Sequence, residues 1–522
     1  MVVLLLVVAV LAGLTAICTK KGGGPSGRRA VALDVFRAGV VRPSTLDPAK
    51  ARTVDELLVA DQLFDSLTAA DPETLAPVPS LAASWTASAD QQHWDFTLRS
   101  TARFSDGSTV TSTDVKATLE RIAKKDSGSS VSDLLEPVTG YRAVAVDGVA
   151  TELTGVVAVS PTVVHVDLDA PWSALPSVLS NPAFGVLPKA VLDAGAELSG
   201  VPVTSGPFVV AAQAGDRLTL TPAKGVSTKS KRVEFALFAD KAAAFDAMVA
   251  GEVDWSGVPA DRVEEAAKKF GRSQFRPYVA ELFYAFNLRD AKFADIRVRE
   301  AIVRAVDRSA IVRDVYGDTV TATDSLVVDG LEGHQDHPCS GKCDVDTARS
   351  KELVDALAAE GVPVPPLQLD FEDDATQLAV ATAIQKSLAD VGIVASLRPK
   401  PLAEYQQFAV SGAQEIFRLG WIAPYPSADA ILAPLFLTGS PNNLTGFSSA
   451  PVDEQLRLAR SSADAAARVA AYQAAETAIL AELPIIPIGQ FELQSVASSR
   501  VRGLTMTAAG SFDGRRVWVA NR

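Results

Sequence analysis

Along this chain, segments with the repeat of a β-strand alternate with segments with the repeat of an α-helix. Residues 94–99 and 163–168 place an apolar side chain at every second position, as half-buried strands do. Residues 298–306 and 379–388 carry apolar side chains at helical spacing, and the second of these leads into a strand at 394–397. This alternation predicts α/β lobes with mostly parallel sheet. A chain of 522 residues is too long for one ordinary core, so we expect two or three lobes.

Three helix boundaries are marked by residues with a known conformational preference. The run Thr111-Ser112-Thr113-Asp114 is typical of a capping box, in which side chains satisfy free backbone amides at a helix start. Gly251 follows the short helix that contains Phe245 to Val249 and is placed to close it. The last long helix is predicted from Ala465 to Leu483, because Pro484 is not able to continue it.

Charge and motif content exclude several classes of protein. The formal net charge is −13, from 62 acidic and 49 basic residues, so the positive surface of a general nucleic-acid binder is not expected. The sequence contains no GxSxG, no HExxH and no GxGxxG after a strand. With only four histidines, acid–base catalysis has few candidate residues. We therefore expect a binding protein rather than an enzyme, with no cofactor.

The first 31 residues differ in composition from the rest of the chain. Met1 to Gly13 is almost wholly aliphatic, Cys18 follows, and Lys20 to Gly27 is a flexible polar stretch. Together these features indicate a secretory signal that ends at a lipidated cysteine, here Cys18. No Lys or Arg precedes the apolar run and the bulky Ile17 precedes the cysteine, so an uncleaved membrane anchor is the alternative. Either interpretation places the body of the protein outside the cytoplasm and attached to the membrane.

The two remaining cysteines, Cys339 and Cys343, lie in a short segment that also contains His334 and His337. Two imidazoles and two thiolates within ten residues are able to ligate zinc. The spacing of the cysteines is short for a structural zinc site with this order of histidines, and an oxidising compartment favours a disulfide. We therefore predict a Cys339–Cys343 disulfide and no metal, with zinc as the alternative.

Several short motifs, taken in their order along the chain, resemble those of a known family. They are Leu46-Asp47-Pro48, Leu81-Ala82-Ala83-Ser84-Trp85, residues 94–99, Phe104-Ser105-Asp106-Gly107, residues 110–115, residues 204–208, residues 250–254, Phe286-Asn287, residues 295–302, residues 305–308, Gly420-Trp421, Asn442-Asn443 and Val452-Asp453. Each alone is short enough to occur by chance. The ordered set, from about Ala32 to the C-terminus, resembles family 5 extracellular solute-binding proteins, the peptide, dipeptide and nickel receptors of ABC importers.

This resemblance implies an α/β, bilobed periplasmic-binding-protein-like fold of type II, with an additional outer lobe and a hinged cleft. The proximal lobe is expected to be discontinuous, formed by residues 32–67, 184–275 and 490–522. The outer lobe, residues 68–183, is inserted in it, and residues 276–489 form the distal lobe. Chain crossings near 275 and 490 would form the hinge. Ligand contacts with both lobes would then favour the closed state of a pre-existing equilibrium.

In proteins similar to this one, an extended peptide pairs with strand edges between the lobes, and hydrated pockets accept its side chains. Residues 416–426 match the family's ligand-facing strand and loop, which makes Arg418, Trp421, Ile422 and Tyr425 candidate ligand contacts. Arg418 would pair with a ligand carboxylate. Trp421 would form an apolar wall, with ordinary core packing as the alternative.

One position departs from the pattern of the family. Peptide-binding relatives commonly have an aspartate at the position of Pro424, where it holds the α-ammonium group of the peptide, and proline supplies no charge. Asp429, five residues later, is the candidate replacement. The other candidate ligand contacts are Phe283, Tyr284, Asn287, Asn442, Asn443, Gln490, Phe491 and Arg52.

The sequence therefore predicts a monomeric, extracytoplasmic substrate-binding lipoprotein of an ABC importer, which captures oligopeptides and delivers them to a membrane permease. No P-loop occurs in the chain, so ATP hydrolysis would belong to separate subunits. Two alternatives stay open. The solute would be an oligosaccharide or a metal chelate in the first, and the protein would present its ligand to a sensor in the second.

Overall fold

The computed structural model describes residues 33–195, 201–317, 319–507 and 509–521. The predicted signal segment, with Cys18, lies outside the described residues. Within them, no helix is both long enough and apolar enough to cross a membrane. Three sheets of four or six strands, with helices packed on them, form most of the described fold.

The first of these, here called the proximal sheet, takes strands from both ends of the chain. Its six strands, from one edge to the other, are Ser495–Ala497, Trp255–Gly257, Val35–Val41, Arg232–Phe238, Arg217–Pro222 and Phe208–Ala214. Val35–Val41 pairs in parallel with both of its neighbours, and the other pairs are antiparallel. The helices of this part are Val54–Leu63, Lys189–Asp193, Lys241–Ala250 and Val263–Phe270, and a two-stranded ladder joins Val501–Arg502 to Trp518–Val519. Phe36 and Phe235 lie in the core of the sheet.

The second, the outer sheet, is inserted in the chain between strands of the proximal sheet. Its four antiparallel strands run in the order Ala82–Ala87, His93–Leu98, Val163–Asp167 and Val156–Ser160. Alternate side chains of each central strand are buried, so one face packs inward and the other faces solvent. The helix Ser112–Ala123 begins with the predicted capping box of Thr111 and Asp114. A small ladder of Thr68–Ala70 with Pro77–Pro79 and the helix Leu175–Val178 complete this part.

The third, the distal sheet, belongs to the second half of the chain. Its strand order is Val320–Ala322, Ile485–Leu493, Arg276–Phe286, Ile416–Ile422, Leu367–Glu372 and Ala395–Lys400. The pairs that Leu367–Glu372 makes are parallel, and the other pairs are antiparallel. The helices of this part are Ile296–Ala305, Arg308–Ile311, Thr347–Ala359, Ala375–Asp390, Leu402–Ala409, Asp429–Phe436, Ala450–Ser461 and Ala465–Ala481.

Most strand pairs of the described residues are antiparallel, so the prediction of mostly parallel sheet is wrong. One reason is local hairpins, which parallel strands are not able to form. Strands Phe208–Ala214 and Arg217–Pro222, for example, are joined by a tight turn at Gly215, whose φ is 57°. Apolar periodicity reports the buried face of a strand but not its direction.

Two neighbouring strands carry the chain between the proximal and distal sheets. Arg276–Phe286 enters the distal sheet, and Ile485–Leu493 leaves it and leads back to the proximal sheet. The two strands are paired where they pass between the sheets, with Arg276 opposite Leu493 and Pro277 opposite Glu492. We call this short paired region the crossing. It joins the two six-stranded sheets by two extended segments, which is the connection that a hinge requires.

The segment that follows the outer sheet packs against the loop beyond Ile416–Ile422. The indole Nε1 of Trp172 donates to Oδ2 of Asp429 over 2.9 Å. The side-chain amide of Asn181 donates to the carbonyl oxygen of Pro424, also over 2.9 Å. The loop at the end of the strand is therefore held from the side of the outer sheet.

Candidate functional site

Two of the accessible candidates, Ile422 and Phe491, lie at the end of the distal sheet next to the crossing. Ile422 is opposite Ala280 of the entering strand, and 60% of it is exposed. Phe491 is half-buried, and its ring lies edge-on to Tyr316 with 6.2 Å between the ring centres. Tyr278, which is not among the residues predicted from the sequence, is also half-buried at this end of the sheet. Burial raises the pKa of Tyr278, so its phenol stays a neutral hydrogen-bonding group at neutral pH. A solute that contacts these side chains is close to the segments that lead into the proximal sheet.

Arg418 and Trp421 lie three positions apart on one strand, so their side chains point to opposite faces of the distal sheet. The guanidinium Nη1 of Arg418 is 3.0 Å from Oε1 of Glu372. The indole Nε1 of Trp421 donates to the carbonyl oxygen of Ala430 over 2.6 Å. Both polar groups therefore have partners within the protein, and the two side chains do not line one ligand surface together.

Tyrosines surround the Arg418 side of the sheet. The hydroxyl of Tyr405 donates to the carbonyl oxygen of Arg418 over 2.5 Å, and Tyr284 lies opposite Arg418 on the neighbouring strand. Burial raises the pKa of Tyr284 well above its ordinary value and that of Tyr316 to about 12, so both phenols are neutral. This cluster covers much of the Arg418 side chain, which is 26% exposed.

Asp429 is fully buried, and its carboxylate is occupied by donors of the protein. Arg460 donates to it through Nε over 2.7 Å and Nη2 over 3.1 Å, and the Tyr425 hydroxyl donates over 3.0 Å. Burial opposes the charge of Asp429, but the Arg460 guanidinium and the hydrogen bonds outweigh it and lower the pKa of the carboxyl. The Asp429 carboxylate is therefore engaged within the protein and Tyr425 is also enclosed, so this geometry does not favour the predicted ligand contacts of either residue, which stay predictions.

The asparagine candidates lie at the far end of the distal sheet. Asn287 follows the strand Arg276–Phe286 and is seven positions beyond Ala280, about 23 Å at the rise of a strand. Its amide donates to the carbonyl oxygens of Gly412 and Gln414. Asn443 is buried and its amide donates to the carbonyl oxygen of Phe447 over 2.8 Å. These side chains close turns away from the crossing, which does not favour ligand contact by Asn287 and Asn443, and that contact stays a prediction. Exposed Asn442 lies at the same remote end.

Phe283 and Tyr284 belong to the core of the distal sheet. They are 2% and 0% exposed, which leaves no surface for a solute. The sequence places the entry of the chain into this sheet near these residues, whereas the strand begins seven positions earlier, at Arg276. Their contact with a ligand stays a prediction, one that this burial does not favour.

Gln490 and Arg52 have different surroundings. Gln490 is 6% exposed, and its Oε1 accepts from the backbone N–H of Asp329 over 3.0 Å. Arg52 is exposed, and its Nη2 donates to the carbonyl oxygen of Gly128 over 3.1 Å. This contact ties the start of the first long helix to the part that contains the outer sheet, and Arg52 stays a candidate.

Glu281 is a buried acid that belongs to none of the motifs described above. It lies on the strand Arg276–Phe286, opposite both Trp421 and Gln490. Burial and the nearby carboxylate of Glu476 raise the pKa of Glu281 well above its ordinary value. Its side chain therefore holds its proton more tightly than an exposed glutamate does, and it lies beside the crossing end of the sheet. The signal in the sequence is one acidic residue at the start of the apolar run Leu282-Phe283-Tyr284-Ala285-Phe286.

Cys339 and Cys343 are joined by a disulfide in the structure. The alternative zinc site needs both thiolates, which the disulfide consumes. The neighbouring histidines have other partners. Nδ1 of His334 is 2.6 Å from the carbonyl oxygen of Val327, and Nδ1 of His337 is 3.3 Å from Oδ1 of Asp324.

A separate cavity of about 280 Å³ lies between the first long helix, the small ladder beside the outer sheet and the C-terminal segment. Two of its lining residues are Asp61 and Asp65. Burial raises the pKa of Asp61 to about 6 and that of Asp65 to about 7, and nearby Arg515 offsets only part of the effect. These carboxyls therefore titrate near neutral pH.

Comparison with known proteins agrees with this architecture. The unliganded open form of the periplasmic murein tripeptide binding protein MppA superposes with a TM-score of 0.86, at 24% identity, over 95% of this chain and 99% of that one. The predicted bilobed, type II periplasmic-binding-protein-like fold is confirmed by this likeness.

Two curated relatives span most of the chain. The periplasmic murein peptide-binding protein MppA of Escherichia coli (strain K12) is 27% identical over 474 residues, which are 86% of each protein. The probable deoxycholate-binding periplasmic protein YgiS of the same strain is 26% identical over 469 residues, 85% of this chain and 86% of that protein. The family model of bacterial extracellular solute-binding proteins, family 5 Middle, matches residues 76–443, well over half of the chain. This chain therefore belongs to the family 5 bacterial extracellular solute-binding proteins.

Proposed function

We propose that this protein is the substrate-binding lipoprotein of an ABC importer, which captures an oligopeptide between two hinged lobes and delivers it unaltered to the permease. The proximal lobe comprises residues 32–67, 184–275 and 490–522, the outer lobe residues 68–183, and the distal lobe residues 276–489. A lipid on Cys18 would hold the monomer at the membrane. The observation that carries the proposal is the crossing, where two paired strands join the proximal and distal sheets.

With a hinge of this kind, a solute is captured by shifting the equilibrium between the open and closed arrangements of the two lobes. A solute that touches only one lobe binds the open and closed states equally and shifts nothing. A solute that touches both lobes gains contacts only in the closed state, and these contacts favour closure. Ile422, Phe491 and Tyr278 would supply apolar surface on the distal side of the gap, close to the hinge.

The likeness to a murein peptide-binding protein supports a peptide as the solute. The residues around Pro424 favour a restriction on which peptides bind. Pro424 has no charge, and its carbonyl oxygen accepts a hydrogen bond from Asn181. The nearby carboxylate of Asp429 is already paired with Arg460. No carboxylate of this loop is then free to hold a peptide α-ammonium group. The same observation favours the second candidate, a solute without an amino terminus, as does the likeness to YgiS.

Mass spectrometry of the solute that co-purifies with natively prepared protein tests the proposal. A thermal-unfolding panel follows, with tripeptides in free and N-acetylated form, an oligosaccharide and a metal chelate. Because a ligand at 100 times its Kd stabilises the native state by about 2.7 kcal/mol, a true solute raises the Tm measurably.

We expect peptides to be recovered intact and to raise the Tm, with little loss on N-acetylation. Stabilisation by the sugar or the chelate, with no effect of any peptide, would replace the peptide with the second candidate. Recovery of cleaved or modified peptide from the mixture would overturn the binding function itself.

A further inference from the structure

The solvent face of the outer sheet carries a square of two histidines and two aspartates. Its corners are His93 and Asp95 on one strand and His165 and Asp167 on the neighbouring antiparallel strand. His93 lies directly opposite Asp167, and Asp95 lies directly opposite His165. Since positions two apart share a face of a strand, all four side chains project from the same side. The intervening residues Trp94 and Val166 are buried beneath them.

Two ring nitrogens and one carboxylate oxygen of this square lie close together. Nδ1 of His93 is 2.6 Å from Oδ1 of Asp167, and Nε2 of His165 is 2.9 Å from the same oxygen. One ligand atom from each of the three residues lies within 4.8 Å of the other two. Bonds of 2.0–2.2 Å from a tetrahedral zinc ion place its ligand atoms about 3.4 Å apart. Small side-chain rotations of these partly exposed groups bring the three atoms to that separation.

The fourth corner, Asp95, is placed to orient one of the ligands. Its Oδ1 is 2.7 Å from Nδ1 of His165, the ring nitrogen that does not face Asp167. A metal-bound histidine commonly donates its other N–H to a carboxylate, which fixes the ring and strengthens the ligand. A simple surface ion pair needs one carboxylate for each imidazole. His165 instead has a different carboxylate on each nitrogen, which is the arrangement of a carboxylate–histidine–metal unit.

We infer that His93, His165 and Asp167 form a binding site for a divalent metal ion of the zinc class, with Asp95 as a positioning residue. Two imidazoles and one carboxylate suit Zn²⁺ and its neighbours Cu²⁺ and Ni²⁺, whereas Mg²⁺ and Ca²⁺ prefer oxygen ligands throughout. Three protein ligands leave a coordination position open to solvent. The site lies on the outer sheet and not at the crossing, so it is separate from the gap proposed for the solute.

Zinc titration by calorimetry, on protein without an affinity tag and after removal of metal with a chelator, tests the inference. We expect one equivalent of Zn²⁺ to bind to the unaltered protein. His93→Ala and His165→Ala should each weaken binding at least tenfold, and Asp95→Asn should weaken it about tenfold, as loss of an orienting carboxylate does. His337→Ala is the matched control, because this exposed histidine lies in the disulfide loop beside Asp324, and it should leave the titration unchanged.

Two further measurements separate binding from damage to the fold. Thermal unfolding in the presence of chelator should stay cooperative for all four variants, with only small changes in Tm, since ion pairs near the surface contribute about 0 to 1 kcal/mol. A Co²⁺ titration should give the visible absorption of a nitrogen-bound ion in the unaltered protein and lose it in His165→Ala. Absence of stoichiometric Zn²⁺ binding, or equal affinity in His93→Ala, would overturn the site.

Discussion

Residues on one short strand have different roles in this protein, and burial decides between them. Within Ile416–Ile422, Arg418 is bound to Glu372, Trp421 is bound to the backbone of Ala430, and Ile422 is largely exposed. The family pattern identifies this strand from the sequence. It does not show which side chains the helices cover, because that depends on contacts such as that of Tyr405, thirteen positions before Arg418. Among the candidates, Ile422 and Phe491 have accessible surface at the crossing, and their contact with a solute stays a prediction.

Replacement of Ile422 by aspartate should weaken solute binding by about tenfold or more, because it puts a charge at an apolar surface that the closed lobes desolvate. The affinity of the solute identified by mass spectrometry is measured by calorimetry. Val394→Asp is the control. Val394 is similarly exposed, at 63%, but precedes the strand Ala395–Lys400 at the end of the sheet remote from the crossing. Equal loss of affinity in both variants would contradict the assignment of the crossing end as the solute surface.

Asp65 should make the protein less stable as the pH rises from about 4 to about 7. Its pKa is about 7 in the folded state and 3.8 in the reference state, so the folded protein binds more protons in this range and loses stability with increasing pH. Asp65→Asn removes this dependence. The free energy of unfolding of both proteins is measured with denaturant at pH 5 and at pH 8. The value for the variant minus the value for the unaltered protein should be about 1 to 2 kcal/mol larger at pH 8 than at pH 5, allowing for partial exposure. A constant difference at both pH values would contradict the raised pKa.

Helices and strands follow the local signals of the sequence more closely than the sheets do. The capping box at Thr111 and the left-handed Gly251, with φ of 77°, begin and end helices as expected. The helix predicted from Ala465 to Leu483 ends at Ala481, because the last residues before Pro484 leave the helix. These signals act within a few residues. Strand direction, the order of strands in a sheet and the far-end position of Asn287 depend on partners distant in sequence, and the local pattern does not contain them.

The contact between helices Asp429–Phe436 and Ala450–Ser461 depends on a buried ion pair. Asp429→Asn leaves the partly buried Arg460 guanidinium without its counter-charge, which should lower the free energy of unfolding by about 2 to 4 kcal/mol, less than for a fully enclosed pair. Glu454→Gln on the second helix is the matched control, because its pair with Arg457 is exposed, and it should change the stability by less than about 1 kcal/mol. Both are measured by denaturant unfolding. Equal effects of the two substitutions would show that the Asp429 pair does not hold these helices together.

At the scale of the whole molecule, the ordered set of motifs predicts the family and the bilobed fold, and the comparisons confirm both. The nature of the solute is not encoded in the same way, because backbone pairing and hydrated pockets accept many side chains. Loss of charge at Pro424 is visible in the sequence. The ion pair between Asp429 and Arg460 is visible only in the fold, since 31 positions separate the two residues. The position of the crossing is likewise a property of the fold, and the proposed lobe boundaries depend on it.

Small-angle X-ray scattering of the purified protein, with and without the solute identified by mass spectrometry, tests the closure of two lobes most directly. The free protein should scatter as the structure described here, which superposes on an unliganded open form. A saturating amount of solute should lower the radius of gyration, and mass spectrometry should then recover that solute unaltered. An unchanged radius of gyration at stoichiometric binding would contradict capture between hinged lobes.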